Sequence, residues 1–277
     1  MIDHSLTQLL PLVAAMLATG ACGGILAGLL GVGGGIVIVP VLYLAMELLG
    51  IAPEHRMHIA VATSLATIVP TSIASVRSHH RRGAVDWPLA RRWSAFVVAG
   101  AVTGGVIARH LRSESLTLIF AVIALAVALF MAPRREGSYL REQLPGGAGG
   151  RLIPLGIGGF STLMGIGGGT LTVPILSACN YPVRRAVATA AFFGLLISLP
   201  GVLAFVLNGL GIAGLPPFSL GYVNLLGFVL IAPMTVLCAP LGARIAHSIP
   251  PQVLRWLFTL FLLATSAKMF ASALGGF

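Results

Sequence analysis

Gly31-Val32-Gly33-Gly34-Gly35, followed by the apolar run Ile36-Val37-Ile38-Val39 and then Pro40, returns 134 residues later as Gly165-Ile166-Gly167-Gly168-Gly169, again with a proline, Pro174, five positions beyond the last glycine. Between residues 24–42 and 158–176, 9 of 19 ungapped positions are identical. Each glycine inside a helix weakens it by up to about 1 kcal/mol relative to alanine. Three in a row within apolar sequence therefore interrupt a helix, and the recurrence marks the interruption as an element of the fold.

The duplication reaches further. Residues 100–131 align without gaps to residues 238–269 at an offset of 138, matching Ala101/Ala239, Gly104/Gly242, Ala108/Ala246, Leu116/Leu254, Phe120/Phe258 and Met131/Met269. Between the two aligned blocks, Ala60-Val61-Ala62-Thr63 reappears as Ala186-Val187-Ala188-Thr189. The chain reads as two diverged copies of one unit: residues 1–133 as a first membrane repeat, 134–151 as a polar cytoplasmic linker, and 152–277 as a second membrane repeat.

Composition places these copies in a bilayer. The 277 residues are 57% hydrophobic and 9% charged, with mean hydropathy +0.99. That describes a polytopic helical membrane protein with room for roughly eight to ten spans or half-spans. The start, Met1-Ile2-Asp3-His4, lacks a basic region and is not read as a signal peptide. Cys22, Cys179 and Cys238 lie in apolar stretches without metal or redox spacing.

The net charge of +10 rests on 17 basic residues against seven acids. In loops, these basic residues report orientation rather than nucleic-acid binding. If each glycine motif tips a helix hairpin and three further spans follow, the two halves are inverted and both termini lie outside. Arg77, Arg81, Arg82, Arg91, Arg92, Arg134, Arg135, Arg141, Arg151, Arg184, Arg185, Arg244 and Arg255 then fall inside, 13 against 4. With each motif as a break within a single crossing, the halves would be parallel and the split 9 against 8. The positive-inside rule favours inversion. The expected fold is all-α, with two inverted repeats, each a Gly-tipped discontinuous or re-entrant helix hairpin plus three transmembrane helices.

A helix that ends within the bilayer leaves amide hydrogens without partners, tolerated only where protein, water or solute covers them. A helix starting after each triplet, at Ile36 or Thr170, would turn its positive end toward the break, where an anion is favoured by about 0.3–2 kcal/mol per terminus. Two such ends near one point make an anion site built mainly from backbone. The candidate substrate-binding residues are Gly33, Gly34, Gly35, Ile36, Gly167, Gly168, Gly169 and Thr170, with Thr63, Ser64 and Thr189 as hydroxyls early in the following span. Thr172 belongs beside Thr170, and for all these hydroxyls a bond back to their own helix is the competing role. Gly24, Gly28, Gly100, Gly104 and Gly242 read instead as close-packing positions.

No acid lies mid-membrane, which argues against cation transport and against a carboxylate proton relay. Glu54, His55, Arg56 and His58 are expected in a loop, and His79-His80-Arg81-Arg82 as a solvated inside anchor. A buried nucleophile and base are both missing from the spans, so the chain is not read as an enzyme. No cofactor and no metal are expected.

The two glycine motifs, the Ala-Thr stretches at 62–63 and 188–189, and His80-Arg81-Arg82-Gly83-Ala84-Val85-Asp86-Trp87 together resemble the TauE/SafE sulfite-exporter family. That resemblance implies a multi-pass transporter of the bacterial inner membrane. It would move small sulfur oxoanions, sulfite or organosulfonates such as sulfoacetate, outward by alternating access around the glycine breaks. A passive anion channel, or a carrier of a different small solute on the same fold, is the alternative. The implied partners are a small anionic substrate and membrane lipid, with no nucleic acid; a homodimer is compatible with such a transporter.

Overall fold

The computed structural model describes residues 6–30, 34–48, 50–131, 143–246 and 250–275. Within them the chain forms ten helices and one short hairpin. The first five helices are α1 (Leu6–Leu30), α2 (Gly35–Leu48), α3 (Pro53–Arg81), α4 (Trp87–Ala108) and α5 (Ser113–Met131). Next come α6 (Gly149–Met164), α7 (Gly169–Ala178) and α8 (Val183–Gly209). The hairpin, β1 (Ser219–Leu220) and β2 (Val223–Asn224), precedes α9 (Leu225–Ala246) and α10 (Pro251–Leu274).

Among the described residues, five helices are long and apolar enough to cross a membrane: α3, α5, α8, and the stretches Leu225–Gly242 of α9 and Trp256–Leu274 of α10. Leu203, Leu207, Val229, Leu237 and Leu260 are each more than half exposed on them. Such a surface is unfavourable in water, but lipid tails are as apolar as leucine. The protein is an all-helical polytopic membrane protein.

α2 and α7 are different. Their 14 and 10 residues span about 21 and 15 Å at 1.5 Å per residue, short of the ~30 Å hydrocarbon core. Each carries a proline at its sixth residue, Pro40 and Pro174, which removes a helix hydrogen bond to the carbonyl four residues earlier.

Helices pair across the two halves. α1 lies along α9 and α4 along α6, while α3 pairs with α8 and α5 with α10. Small residues allow the first two contacts. A Cβ on Gly24 would stand 2.6 Å from the Thr235 carbonyl, and one on Gly104 would stand 2.5 Å from that of Gly159. Gly100 meets the Leu155 carbonyl and Gly242 that of Ile25, closer still. These four glycines act as packing positions; the surroundings of Gly28 lie outside the described residues.

Direction follows from the same contacts. Gly20 faces Ile231 and Gly24 faces Thr235, so α1 and α9 run parallel. Gly201 faces Leu65 whereas Gly194 faces Ser72, so α3 and α8 run antiparallel. At one end of α3, Asp86 bonds to Tyr181 and Thr189. At the other end, His55 and His58 lie against Tyr222.

Two expectations change. Glu54, His55, Arg56 and His58 occupy the first turns of α3 rather than a loop, because Pro53 suits the first helical position and Glu54 favours the positive helix end. His58 is consequently buried, its Nε2 3.3 Å from the Ala108 carbonyl. The His79-His80-Arg81-Arg82 cluster does not change: α3 runs through it to Arg81 with His80 edge-on to Trp87, and His80, Arg81 and Arg82 are exposed, as a solvated anchor requires. Finally, α6 begins at Gly149, so the end of the expected linker is helical; residues 134–142 of that linker lie outside the described residues.

Candidate functional site

The second glycine motif is a real break. α6 ends at Met164, and Gly165 takes the left-handed conformation, φ +67°. The Gly165 amide donates to the Thr162 carbonyl and the Ile166 amide to that of Ser161, at 3.2 and 3.0 Å. This is a Schellman closure, which needs a residue tolerant of positive φ. The Gly165 carbonyl then accepts from Ser64 Oγ at 2.7 Å, so the negative end of α6 is partly covered.

The positive end of α7 is not. Among the described residues, the amide hydrogens of residues 167–171 find no backbone carbonyl, as expected for a helix start. Residues 161–170 are all buried. Gly168 has no room for a side chain, because a Cβ there would lie 2.6 Å from the Ala190 carbonyl and 2.7 Å from the Gly194 nitrogen of α8.

The first motif is seen in part. Gly31, Val32 and Gly33 lie outside the described residues. Gly34 has φ +68°, and its carbonyl accepts from the amides of Val37 and Ile38 at the start of α2, at 3.0 and 3.1 Å. Gly35 opens α2, and a Cβ on it would stand 2.7 Å from the Gly165 carbonyl and 3.0 Å from Ile166 Cα. The two breaks therefore touch. Ile36 beside them is 2% exposed.

The hydroxyls divide into two sets. Thr63 Oγ1 accepts from the Asn224 amide at 3.0 Å, and Thr189 Oγ1 from the Asp86 amide at 3.1 Å. Asn224 and Asp86 sit 138 residues apart at the starts of α9 and α4, where Asn224 Oδ1 accepts from the Gly227 amide and Asp86 Oδ1 from that of Leu89. Each half thus holds a helix start of the other. Thr63, Thr189 and Ser64 bond across helices rather than back to their own.

The second set has no partner. Ser161, Thr162, Thr170 and Thr172 are each at most 1% exposed, and none of their side-chain oxygens makes a hydrogen bond. Ser161 and Thr162 lie in the last turn of α6 and Thr170 and Thr172 in the first turn of α7, so all four border one break. Ser161 and Thr162 were not among the sequence candidates; two adjacent hydroxyls closing an apolar helix are the signal. In the first copy the matching residues are Ala27, Gly28, Ile36 and Ile38. The hydroxyls belong to one break only.

The described acids lie elsewhere. Glu47, Glu54 and Glu114 are exposed, and Asp86 is half-buried before α4. Although burial acts to raise it, the Asp86 carboxyl is held below the usual range by the Leu89 amide, the Tyr181 hydroxyl and Arg185. Burial pushes the Tyr181 phenol up, and its bond to Asp86 and the Asp86 charge push it further. Nδ1 of His55 and of His58 is buried without a partner. Among the described residues, no group of three or more His, Cys, Asp or Glu is placed to hold a metal.

Half-helices touching inside a multi-pass helical protein, with buried donors and no buried acid among the described residues around them, define a polytopic membrane protein with a polar break in its interior. The comparisons give its family. Residues 16–269 match the model described as sulfite exporter TauE/SafE, and the chain belongs to that family. It is 32% identical over 258 residues to a probable membrane transporter protein of Haemophilus influenzae, covering 92% of this chain and 96% of that relative. A probable membrane transporter protein of Methanocaldococcus jannaschii is 28% identical over 257 residues, covering 92% and 94%. The corresponding figures for a third, YunE of Bacillus subtilis, are 23% over 273 residues, 92% and 96%. No solved structure matches the chain. This is a membrane transporter family, not an enzyme family.

Proposed function

We propose that the protein is a secondary transporter or facilitator of small sulfur oxoanions, sulfite or organosulfonates such as sulfoacetate, that exports them across the bacterial inner membrane. The cargo sits at the two glycine breaks, and access alternates between two inverted repeats. The observation that carries this reading is the set of four buried, unpartnered hydroxyls beside the open amide end of α7. An unpartnered buried hydroxyl costs about 1–3 kcal/mol, and four around one helix start are accounted for by a solute that accepts from them.

Inversion is supported by the antiparallel run of α3 against α8, which carry the repeated Ala-Val-Ala-Thr stretch. Tyr181 and His55 hold corresponding positions in the two copies yet lie at opposite ends of the α3–α8 pair. In inverted-repeat carriers, half-helix starts hold anionic substrate groups near the bilayer midplane.

An inside-negative potential drives a single negative charge outward by about 2.3 kcal/mol per 100 mV, so export needs no proton relay. Purified protein in liposomes loaded with sulfite or sulfoacetate should release it faster under an inside-negative potential than under the reverse, with saturation. Efflux indifferent to the sign of the potential, or equal to that of protein-free vesicles, rejects the reading. A flux that never saturates favours the channel.

A further inference from the structure

We infer that the break selects oxoanions carrying a single negative charge and discriminates against doubly charged anions of the same shape. Of the proposed cargoes this favours hydrogensulfite and singly charged sulfonates over sulfoacetate, whose sulfonate and carboxylate are both ionised at neutral pH. The inference rests on the anion reading of this site and specifies which charge state the site accepts.

Its basis is the supply of positive charge. No Lys, Arg or His lies in the buried stretch 161–170, nor among residues 34–46 of the facing half-helix, α2, and its approach. Compensation for a bound anion comes from dipoles alone. A helix start is equivalent to about half an elementary charge, so α2 and α7 together provide about one. The opposing ends matter too, because helix C-termini carry the opposite sign. Here α6 is partly closed: its Ser161 and Thr162 carbonyls accept from Ile166 and Gly165, and Ser64 covers the Gly165 carbonyl. The amides of α7 stay open, which leaves a site whose positive bias amounts to at most about one charge and falls short of two.

Burial sharpens the difference. The cost of moving an ion into a low-dielectric site grows with the square of its charge, about fourfold from monoanion to dianion. Hydroxyls from Ser161, Thr162, Thr170 and Thr172 donate hydrogen bonds but add no charge. The ionised side chain that the contacts tie to this region is itself negative. Asp86 bonds through its amide to Thr189, the residue before Ala190, whose carbonyl abuts Gly168. Arg185 offsets that carboxylate and so leaves no surplus for a second charge on the cargo.

Sulfate and methanesulfonate test this, because they are nearly isosteric tetrahedra of fixed charge across neutral pH and differ by one unit. Each is titrated against labelled sulfite efflux from liposomes holding the full chain, with both competitors present at equal concentration on both sides of the membrane. Methanesulfonate should inhibit at a concentration at least about tenfold lower than sulfate, with the same ratio at pH 6 and pH 8. Sulfate inhibiting as well or better overturns the inference, as does sulfite flux that neither anion inhibits; both leave the anion reading standing. Sulfite flux no greater than in protein-free vesicles removes the anion reading and this inference with it.

Discussion

Thr170 and Thr172 pose the sharpest question at the level of single residues, because a buried hydroxyl without a partner destabilises the fold that holds it. Replacing both with valine keeps shape and removes the unsatisfied oxygens. Stability should be unchanged or rise by on the order of 1 kcal/mol, read as the melting temperature in detergent. A hydrogen bond to a charged group contributes about 1.5–3 kcal/mol, so sulfite flux below saturation should fall at least ~tenfold. Stable protein with normal flux would remove these residues from the site. Ser64→Ala gives the opposite pattern on stability: it strips the Gly165 carbonyl of its donor and should cost about 1–3 kcal/mol. Asp86 adds a pH dependence. Its folded pKa is depressed, so its stabilisation is present above the ordinary carboxylate range and is lost as pH falls through the folded value, below about 4. The Asp86→Asn variant should lose less melting temperature than the parent between pH 6 and pH 3; an equal loss would mean Asp86 contributes nothing. Of these residues, Thr170 was legible in the sequence because it follows a glycine triplet. Ser161 and Thr162 were not, since in an apolar helix a hydroxyl usually bonds back to its own backbone, and only coordinates show that these do not.

At the level of elements, the breaks themselves were legible, and what they touch was not. Gly165 and Gly169 bound the interruption where the triplet spacing put it, because the penalty for consecutive glycines is local. The contact between Gly35 and Gly165 joins residues 130 apart in sequence and leaves no local trace. Helix starts were misjudged for a related reason: Glu54 to His58 look like loop by charge, yet Pro53 begins a helix that buries His58. Gly35→Ala tests the element contact. Its Cβ would lie 2.7 Å from the Gly165 carbonyl and 3.0 Å from Ile166 Cα, both backbone atoms that cannot rotate away. Overpacking of this kind costs about 1–3 kcal/mol, and it pushes apart the two half-helices proposed to hold the anion. The variant should lower both melting temperature and sulfite flux, whereas Gly146→Ala, with nothing within 4 Å, should change neither. Unaltered flux in Gly35→Ala protein would show that the breaks need not touch.

Across the whole molecule the issue is whether the copies are inverted as proposed, and two exposed arginines offer a test. Arg82 follows α3 and Arg184 lies in the first turn of α8. In parallel repeats they would lie on opposite sides of the bilayer; in inverted repeats they share one. The bond between Asp86 and Tyr181, a few residues from each, brings the two loops to the same end of the bundle. The antiparallel α3 and α8 require the same of any arrangement in which both helices cross. With Arg77, Arg81, Arg82, Arg91, Arg184 and Arg185 near that end, the positive-inside rule predicts that it faces the cytoplasm, and cysteine labelling tests this. The native cysteines, Cys22, Cys179 and Cys238, form no disulfide and can be replaced to give a blank background. In intact cells, an impermeant maleimide should leave Arg82→Cys and Arg184→Cys unlabelled and label Ala213→Cys in the exposed loop before the hairpin. Permeabilised cells should label all three. Opposite labelling of the two arginine positions would mean that the copies are parallel. With the two half-helix starts then entering the bilayer from the same face, no two-fold axis in the membrane plane would relate them, and alternating access by exchange of equivalent halves would lose its geometric basis.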